Sequence, residues 1–279
     1  LAALGGGLLL LAVFIAVEAR SRNPILPLSL FHSRDFAGAN LLTFFLYAAL
    51  GGSLFFVPLN LIQVQDYSPT AAGAALLPFI LIMFVLSRWA GGLVKKRGGK
   101  LPLVIGPVIA ALGFGLFTIP GAGGSYWTTF FPAVVLLGLG MATSVAPLTT
   151  TVMTSASGNR AGAASGINNA VSRTAGLLGV AIFGILILHG YNHELDRRVS
   201  KLDLALEARQ ALDEQRIRLA AAEVPAGIND EQRAALKEEI SQSFIFGFRL
   251  VMGSAAALAL LSSVTAYMMI KGKSAKTLG

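Results

Sequence analysis

Apolar residues in this chain come in long unbroken runs rather than in short alternating stretches. Seven runs stand out, over 1–17, 36–60, 70–94, 101–119, 127–150, 167–189 and 244–270. Crossing roughly 30 Å of hydrocarbon takes about 20 residues of helix, and each run is of that order. Barrel strands would be about half as long and would alternate in polarity, so the pattern predicts helices. Setting 1–17 aside, the other six divide into triplets, 36–119 and 127–270. Three is odd, so the second triplet starts from the opposite side to the first, and the two are inverted in topology.

One segment breaks the pattern. Over 190–243 the chain carries eight basic and eleven acidic residues. Leu195, Val199, Leu202, Leu206 and Leu212 recur there at roughly helical spacing. Pro225 and Gly227 interrupt the run before a second short helix near 230–240. This predicts a small helical hairpin outside the bilayer. It serves either as a cap or partner-docking element or as a solvated linker folded on itself.

Charge fixes the sidedness. The stretch GGLVKKRGGK, residues 91–100, places Lys95, Lys96, Arg97 and Lys100 in a loop too short to be a domain. Basic residues in short loops mark the cytoplasmic side. Counting from there, 18–35, 151–166 and 271–279 are cytoplasmic too, and bring Arg20, Arg22, Arg34, Arg160, Lys271, Lys273 and Lys276 against only Glu18 and Asp35. The short outer loops, 61–69 and 120–126, hold no Lys or Arg and a single charge, Asp66. Long loops translocate largely regardless of charge, so 190–243 fits on the outside.

Composition narrows the class. The chain is 54% apolar and 13% charged, far from the quarter usual in soluble domains, so an all-α integral membrane protein is expected. Its net charge of +8 comes largely from residues flanking the apolar runs, which points to lipid headgroups and not to nucleic acid. There is no cysteine, hence no disulfide or thiolate chemistry. His32, His189 and His193 are expected to hold no metal, and no cofactor is expected. Residue 1 lies inside an apolar run with neither a basic leader before it nor a cleavage site after it. The expectation is a piece of something longer, opening partway through a helix.

The runs SRDFAGANLLTFFLYAALGGSLFFVPLNLIQVQDYSPTAAGAALLPF, GGLVKKRGGK, GLGMATSVAPLTT and GAASGINNAVSRTAGLLGVAIFG, in that order, closely resemble the C-terminal half of the 14-helix drug:proton antiporter branch of the major facilitator superfamily, the EmrB/QacA type. The resemblance implies a six-helix half built of two inverted three-helix repeats. Residues 1–17 would then end a linker helix, 18–35 form a cytoplasmic linker, 36–189 hold five membrane helices, 190–243 the outer loop, 244–270 the last helix and 271–279 a cytoplasmic tail. It further implies a bacterial inner-membrane carrier working by alternating access. Its partners would be the missing N-terminal half, the lipid bilayer, small amphipathic substrates and protons. Gly91, Gly92, Lys95, Lys96, Arg97, Gly98 and Lys100 resemble the superfamily's cytoplasmic loop signature, a gating element. Lys95 stands where an acidic residue is usual, and Gly99 where a basic one is.

The apolar runs from 36 to 270 contain no Asp or Glu. An intramembrane carboxylate is the usual proton carrier, since burial and neighbours tune its affinity. If the protein is proton-coupled, that group belongs to the missing half. Arg173, beside Asn168, Asn169 and Ser172, is a candidate gate or conformational switch, and Asn168 and Asn169 are candidates for the substrate path. Arg88 is near enough to a helix end to snorkel. Asn40, Thr43 and Tyr47 share one helical face, and either line a substrate path or hydrogen-bond between helices. Thr143 and Ser144, beside Gly138, Gly140 and Pro147, are further path candidates on a helix whose small residues also suit close packing. Gly162 with Gly166, and Ala175 with Gly179, invite the same choice between packing and a sliding interface. Phe44, Phe45, Phe55, Phe56, Phe79 and Phe84 could wall a pocket for lipophilic cations. No nucleophile–base pair occurs, so an enzyme is not expected. The competing function is a membrane-anchored interaction or sensory protein acting through 190–243.

Overall fold

With no water in a bilayer to satisfy backbone amides, long apolar runs fold as helices that bond internally. The computed structural model describes residues 2–21, 27–156, 160–202, 204–225 and 227–271; side chains at 2–4, 8, 11 and 93–97 lie outside that description. No strand occurs among the described residues. The helices are α1 (Ala2–Arg20), α2 (Arg34–Gln63), α3 (Pro69–Ala74), α4 (Leu77–Arg97), α5 (Lys100–Leu116), α6 (Tyr126–Thr129), α7 (Phe131–Thr154), α8 (Ala161–Val199), α9 (Leu206–Glu214) and α10 (Asp230–Met269). Five segments are long and apolar enough to cross a membrane by length and composition: α2, 69–92, α7, α8 and α10; α5 is a shorter apolar helix.

Local chemistry sets the ends. Ser33 caps α2 by accepting from the Phe36 amide at 3.3 Å. Pro78 lacks an amide hydrogen and crowds the carbonyl four residues back, which accounts for the break between α3 and α4. Pro132, at the start of α7, accompanies the break after α6. Asn229 and Gln232 form a reciprocal capping box at the start of α10.

Two boundaries differ from the sequence reading. Residues 91–100 are not a ten-residue loop: α4 runs on to Arg97, and the turn shrinks to Gly98 and Gly99. Lys and Arg are good helix formers and favour a helix C-terminus. Gly98, at φ 79°, takes the left-handed conformation that ends α4. Likewise 230–240 is no separate helix. α8 has 39 residues and α10 has 40, each about 60 Å at 1.5 Å per residue. Both pass straight through the points near 190 and 243 where the composition changes, because a change of solvent does not interrupt backbone hydrogen bonding. Their far ends, with α9 and the 3-10 turn Arg216–Ala221, form a cap. Inside it Tyr191, Leu195, Leu212, Leu219, Leu236 and Ile240 are buried.

The helix pairing has a pattern. α2 packs along α8 and α10, α7 packs along α4 and α5, and α5 packs along α10. The first helix of each triplet thus lies against the second and third helices of the other. α4 and α8 are the least covered of the long helices. The described side chains of α1 are exposed except for Glu18.

Candidate substrate path and gate

α2 and α8 cross where glycine removes the side chains that would hold them apart. A Cβ on Gly179 would strike the Ala48 carbonyl oxygen, and one on Gly51 would stand 2.7 Å from Gly176 Cα. Near this crossing, Asn168 Nδ2 on α8 donates to Thr43 Oγ1 at 2.7 Å and to Asn40 Oδ1 at 3.1 Å on α2. Thr43 Oγ1 donates to the Ala39 carbonyl at 2.7 Å, and Asn40 Nδ2 to the Phe36 carbonyl at 2.9 Å. Thr43 is fully buried and Asn40 is 4% exposed. Of the two readings of this face, the interhelical hydrogen bond is the one the geometry supports for Asn40 and Thr43. Covered side chains do not line an open path in this conformation. Tyr47, further along, is half-buried against the core, and Asn169 is exposed.

A second tight crossing joins α5 and α7. A Cβ on Gly106 would collide with Ser144 Oγ, and one on Gly140 would stand 2.7 Å from the Gly106 carbonyl oxygen. Ser144 is fully buried and donates to the Gly140 carbonyl at 2.8 Å, so in this conformation it packs the crossing. Thr143 is half-buried and donates back to the Leu139 carbonyl at 2.7 Å. Gly138, with Ile82 Cβ 3.2 Å from where its Cβ would be, seats α7 on α4. Gly162, Gly166 and Gly92 face open space, and Gly91 has only Ala146 nearby, at 3.9 Å from the same position. Packing glycines and free glycines are therefore distinct sets.

The exposed surface of α8 changes along its length. Gly162, Gly166, Asn169, Arg173 and Thr174 give way to Leu177, Leu178, Ile182 and Ile185. Arg173 makes no hydrogen bond or ion pair among the described residues. Arg88 on α4 is exposed as well, beside Trp89 at 61% exposure. The aromatic residues disperse: Phe56 and Phe79 are buried, while Phe84 is 80% exposed, so the six phenylalanines do not wall one pocket.

Of the basic signature, Lys95, Lys96 and Arg97 occupy the last turn of α4, and their side chains lie outside the described residues. Lys100 Nζ sits 4.9 Å above the Tyr267 ring, a cation–π contact from α5 to α10. At this basic end of the bundle, Arg34 donates to the Met268 carbonyl at 3.3 Å, and Asp35 accepts from the Lys271 amide at 2.8 Å.

At the opposite end Arg249 donates to the Ile119 and Pro120 carbonyls at 3.2 and 3.3 Å, anchoring the chain beyond α5. Past His189, Glu194 is 3% exposed yet bonded to Arg197 and, at 2.7 Å, to Arg198, which reaches Glu239 on α10 at 2.8 Å. The hydrogen bond from Arg197, assisted by the one from Arg198, holds the Glu194 carboxyl below its ordinary range against the opposing effect of burial. Tyr191 Oη donates to the carbonyl of Leu219, a leucine at φ 57°. His189 and His193 stand four residues apart on α8, a metal-ligand spacing, but no group of three such ligands gathers among the described residues.

Several contacts were not anticipated from sequence. Ser262 and Ser263 on α10 donate to the Leu42 and Val104 carbonyls at 3.1 and 2.8 Å, bridging to α2 and α5. Gln65 joins two loops through the Gly121 carbonyl and the Gly123 amide, both at 2.8 Å. Only the i, i+4 spacing of Glu194 and Arg198 left a local trace.

The profile of the Major Facilitator Superfamily matches residues 1–180. The tetracenomycin C resistance and export protein of Streptomyces glaucescens is 29% identical over 94% of this chain and 49% of its own length. The lincomycin resistance protein of Streptomyces lincolnensis is 33% identical over 62% of this chain and 36% of its own. The multidrug resistance protein Stp of Mycobacterium tuberculosis is 31% identical over 63% of this chain and 32% of its own. The chain spans about half the length, or less, of the curated relatives it matches.

Proposed function

The chain belongs to the major facilitator superfamily, and on that premise we propose that it is the C-terminal half of a multidrug efflux proton antiporter working by alternating access. It is a multi-pass membrane protein related to drug-resistance transporters, a family of carriers rather than enzymes. The observation that carries the reading is the helix pairing, in which the first helix of each triplet lies against the second and third of the other. Inverted triplets related by a pseudo-two-fold axis produce that exchange, and rocking of such units about a midplane site is how these carriers change sides. The open faces of α4 and α8 are available to a complementary half. Cargo follows by analogy with relatives named for resistance to tetracenomycin C, lincomycin and multiple drugs: amphipathic compounds small enough to sit between two halves. The 14-helix branch and the bacterial inner membrane belong to the same reading. The basic end faces the cytoplasm and the 190–243 cap faces out. Tyr47, Asn169 and Thr143 stay as path candidates; Arg173 and 91–100 are the gate.

The test uses the full-length protein in inverted membrane vesicles with a proton gradient and ethidium as the probe. Gradient-dependent accumulation above that of vesicles lacking the protein is expected, and its absence across a panel of lipophilic cations would overturn the antiporter. Replacing 190–243 by a short glycine–serine linker, long enough to turn between α8 and α10, addresses the anchored-sensor alternative: accumulation should survive in part, whereas complete loss from a protein that still inserts would favour it. Sidedness is read separately with cysteines at Lys96 and Gly123 and an impermeant reagent on intact cells. Labelling of Lys96→Cys but not Gly123→Cys would reverse the orientation.

A further inference from the structure

Arg173 poses an electrostatic problem that the chain does not solve by itself. It stands six residues into the apolar run 167–189 of α8, about 9 Å along the helix axis, in a span meant for hydrocarbon roughly 30 Å thick. Its side chain is exposed, follows Asn169 by one turn and lies on the same side as the open Gly162 and Gly166. A guanidinium at that depth is costly in lipid and is retained where an anion or a water-filled cavity receives it. Within their apolar runs, the helices packed on α8 supply no anion. Over 36–63, 131–154 and 244–269 their titratable groups are Tyr47, Arg249 and Tyr267, and α8 itself adds only His189 over 161–189. The positive charge therefore faces outward, toward whatever covers this side of the half, and the surface around it is small enough for a second helix to approach closely.

We infer that the complementary half sets a membrane-embedded carboxylate against Arg173, forming an ion pair between the halves that opens when the carboxylate takes up a proton and closes when the proton leaves. The inference rests on the antiporter reading and gives its gate a chemical identity. Charge complementarity carries it: this half offers a cation within an apolar run, without a partner among the described residues, and no acid in its apolar runs, and the relatives are about twice as long as the chain. No covalent step is involved. The proton neutralises the carboxylate, the attraction across the interface is lost, and the two faces can part.

The experiment compares wild type, Arg173→Lys and Arg173→Gln in the full-length protein reconstituted in liposomes, following ethidium transport from pH 5 to 9. A cation within about 4–6 Å lowers a carboxylate pKa by roughly 1–3 units. Removing the charge should move the transport profile toward higher pH by about that much and lower the rate at neutral pH at least tenfold, while the lysine variant keeps the wild-type profile. An unchanged profile in Arg173→Gln overturns the inference, and so does equal loss in both variants without a shift, which marks a packing role. A loss confined to probes bearing their own carboxylate also overturns it, since the anion then belongs to cargo. If wild type moves no probe, the transport reading fails on its own. The pairing is still read independently: Arg173→Cys, in a segment that has no cysteine of its own, should form a disulfide with a cysteine replacing one of the upstream membrane carboxylates, in a protein otherwise free of cysteine. No cross-link at any of them counts against it.

Discussion

α4 and α8 hold corresponding places in the two triplets, and the rest of the chain treats them differently. α4 lies along α7, barely touches α5, and stops at Gly98 beside the turn into it. α8 packs along both α2 and α10, and its contact with α10 continues past the apolar stretch into the cap, where Arg198 ties Glu194 to Glu239. Both helices are similarly uncovered within their apolar windows. The difference is made outside them. α8 is stapled by a folded polar layer and α4 is held by a single helix crossing, which makes α4 the freer of the two to shift against its neighbours.

Substitutions of glycine have the largest expected effect. Gly179→Val forces a branched side chain onto the Ala48 carbonyl, and a backbone atom cannot move aside as a flexible side chain would. Overpacking of this kind costs on the order of 3 kcal/mol. We expect loss of the folded protein, read as yield and melting temperature of the full-length transporter in detergent. Gly115→Val on α5 and Gly253→Val on α10 meet nothing within 4 Å, lie off the open faces of α4 and α8, and should melt close to wild type. Equal tolerance of all three would mean that α2 and α8 are not clamped at this crossing.

The cap gives the next largest effect. Glu194→Ala leaves Arg197 and Arg198 without their buried acceptor, which costs about 1–3 kcal/mol, partly offset by solvent at the more exposed arginine. Amide exchange should rise over 190–243 and stay unchanged in α4. The carboxyl is held below its ordinary value in the folded protein, so its stabilising contribution is complete above pH 4.5, the ordinary value, and is lost as pH falls through the depressed one. Wild type should therefore loosen its cap first on acidification from pH 5 to 3, and Glu194→Gln should show little of that dependence. A cap whose exchange ignores pH over this interval would remove the staple from the account.

Much of this architecture could be read in the chain, and the failures have physical causes. Apolar length announces a span because hydrocarbon thickness is fixed, and all six complete runs are mainly helical, though prolines break 70–94 between α3 and α4 and 127–150 between α6 and α7, and α5 is shorter than its run. The ends moved because composition reports the solvent around a helix, not the backbone's continuity: nothing at Gly190 or Ser243 breaks hydrogen bonding, so α8 and α10 ran on. Periodicity put Asn40, Thr43 and Tyr47 on one face, but a period says nothing of what the face meets. The partner, Asn168, lies 125 residues from Thr43. Glycine was equally ambiguous: Gly179 and Gly166 look alike in sequence and differ only in whether another helix has arrived.

Single hydrogen bonds at the two helix crossings have the smallest expected effect. The α2–α8 crossing is bonded across helices, from Asn168 to Asn40 and Thr43, whereas at the α5–α7 crossing Ser144 bonds only within α7. Hydrogen bonds between membrane helices are worth about 0.6–2 kcal/mol. Asn168→Ala should thus lower the melting temperature measurably. Ser144→Ala removes an i−4 bond that competes with the helix's own amide, and should leave stability within a few tenths of a kcal/mol. Thr43→Val, which keeps the shape and deletes the acceptor, should reproduce part of the Asn168→Ala loss, and the double variant should cost less than the sum of the two. Full additivity would mean that the two side chains do not bond in the membrane, and that the polar face of α2 is free to line a path after all.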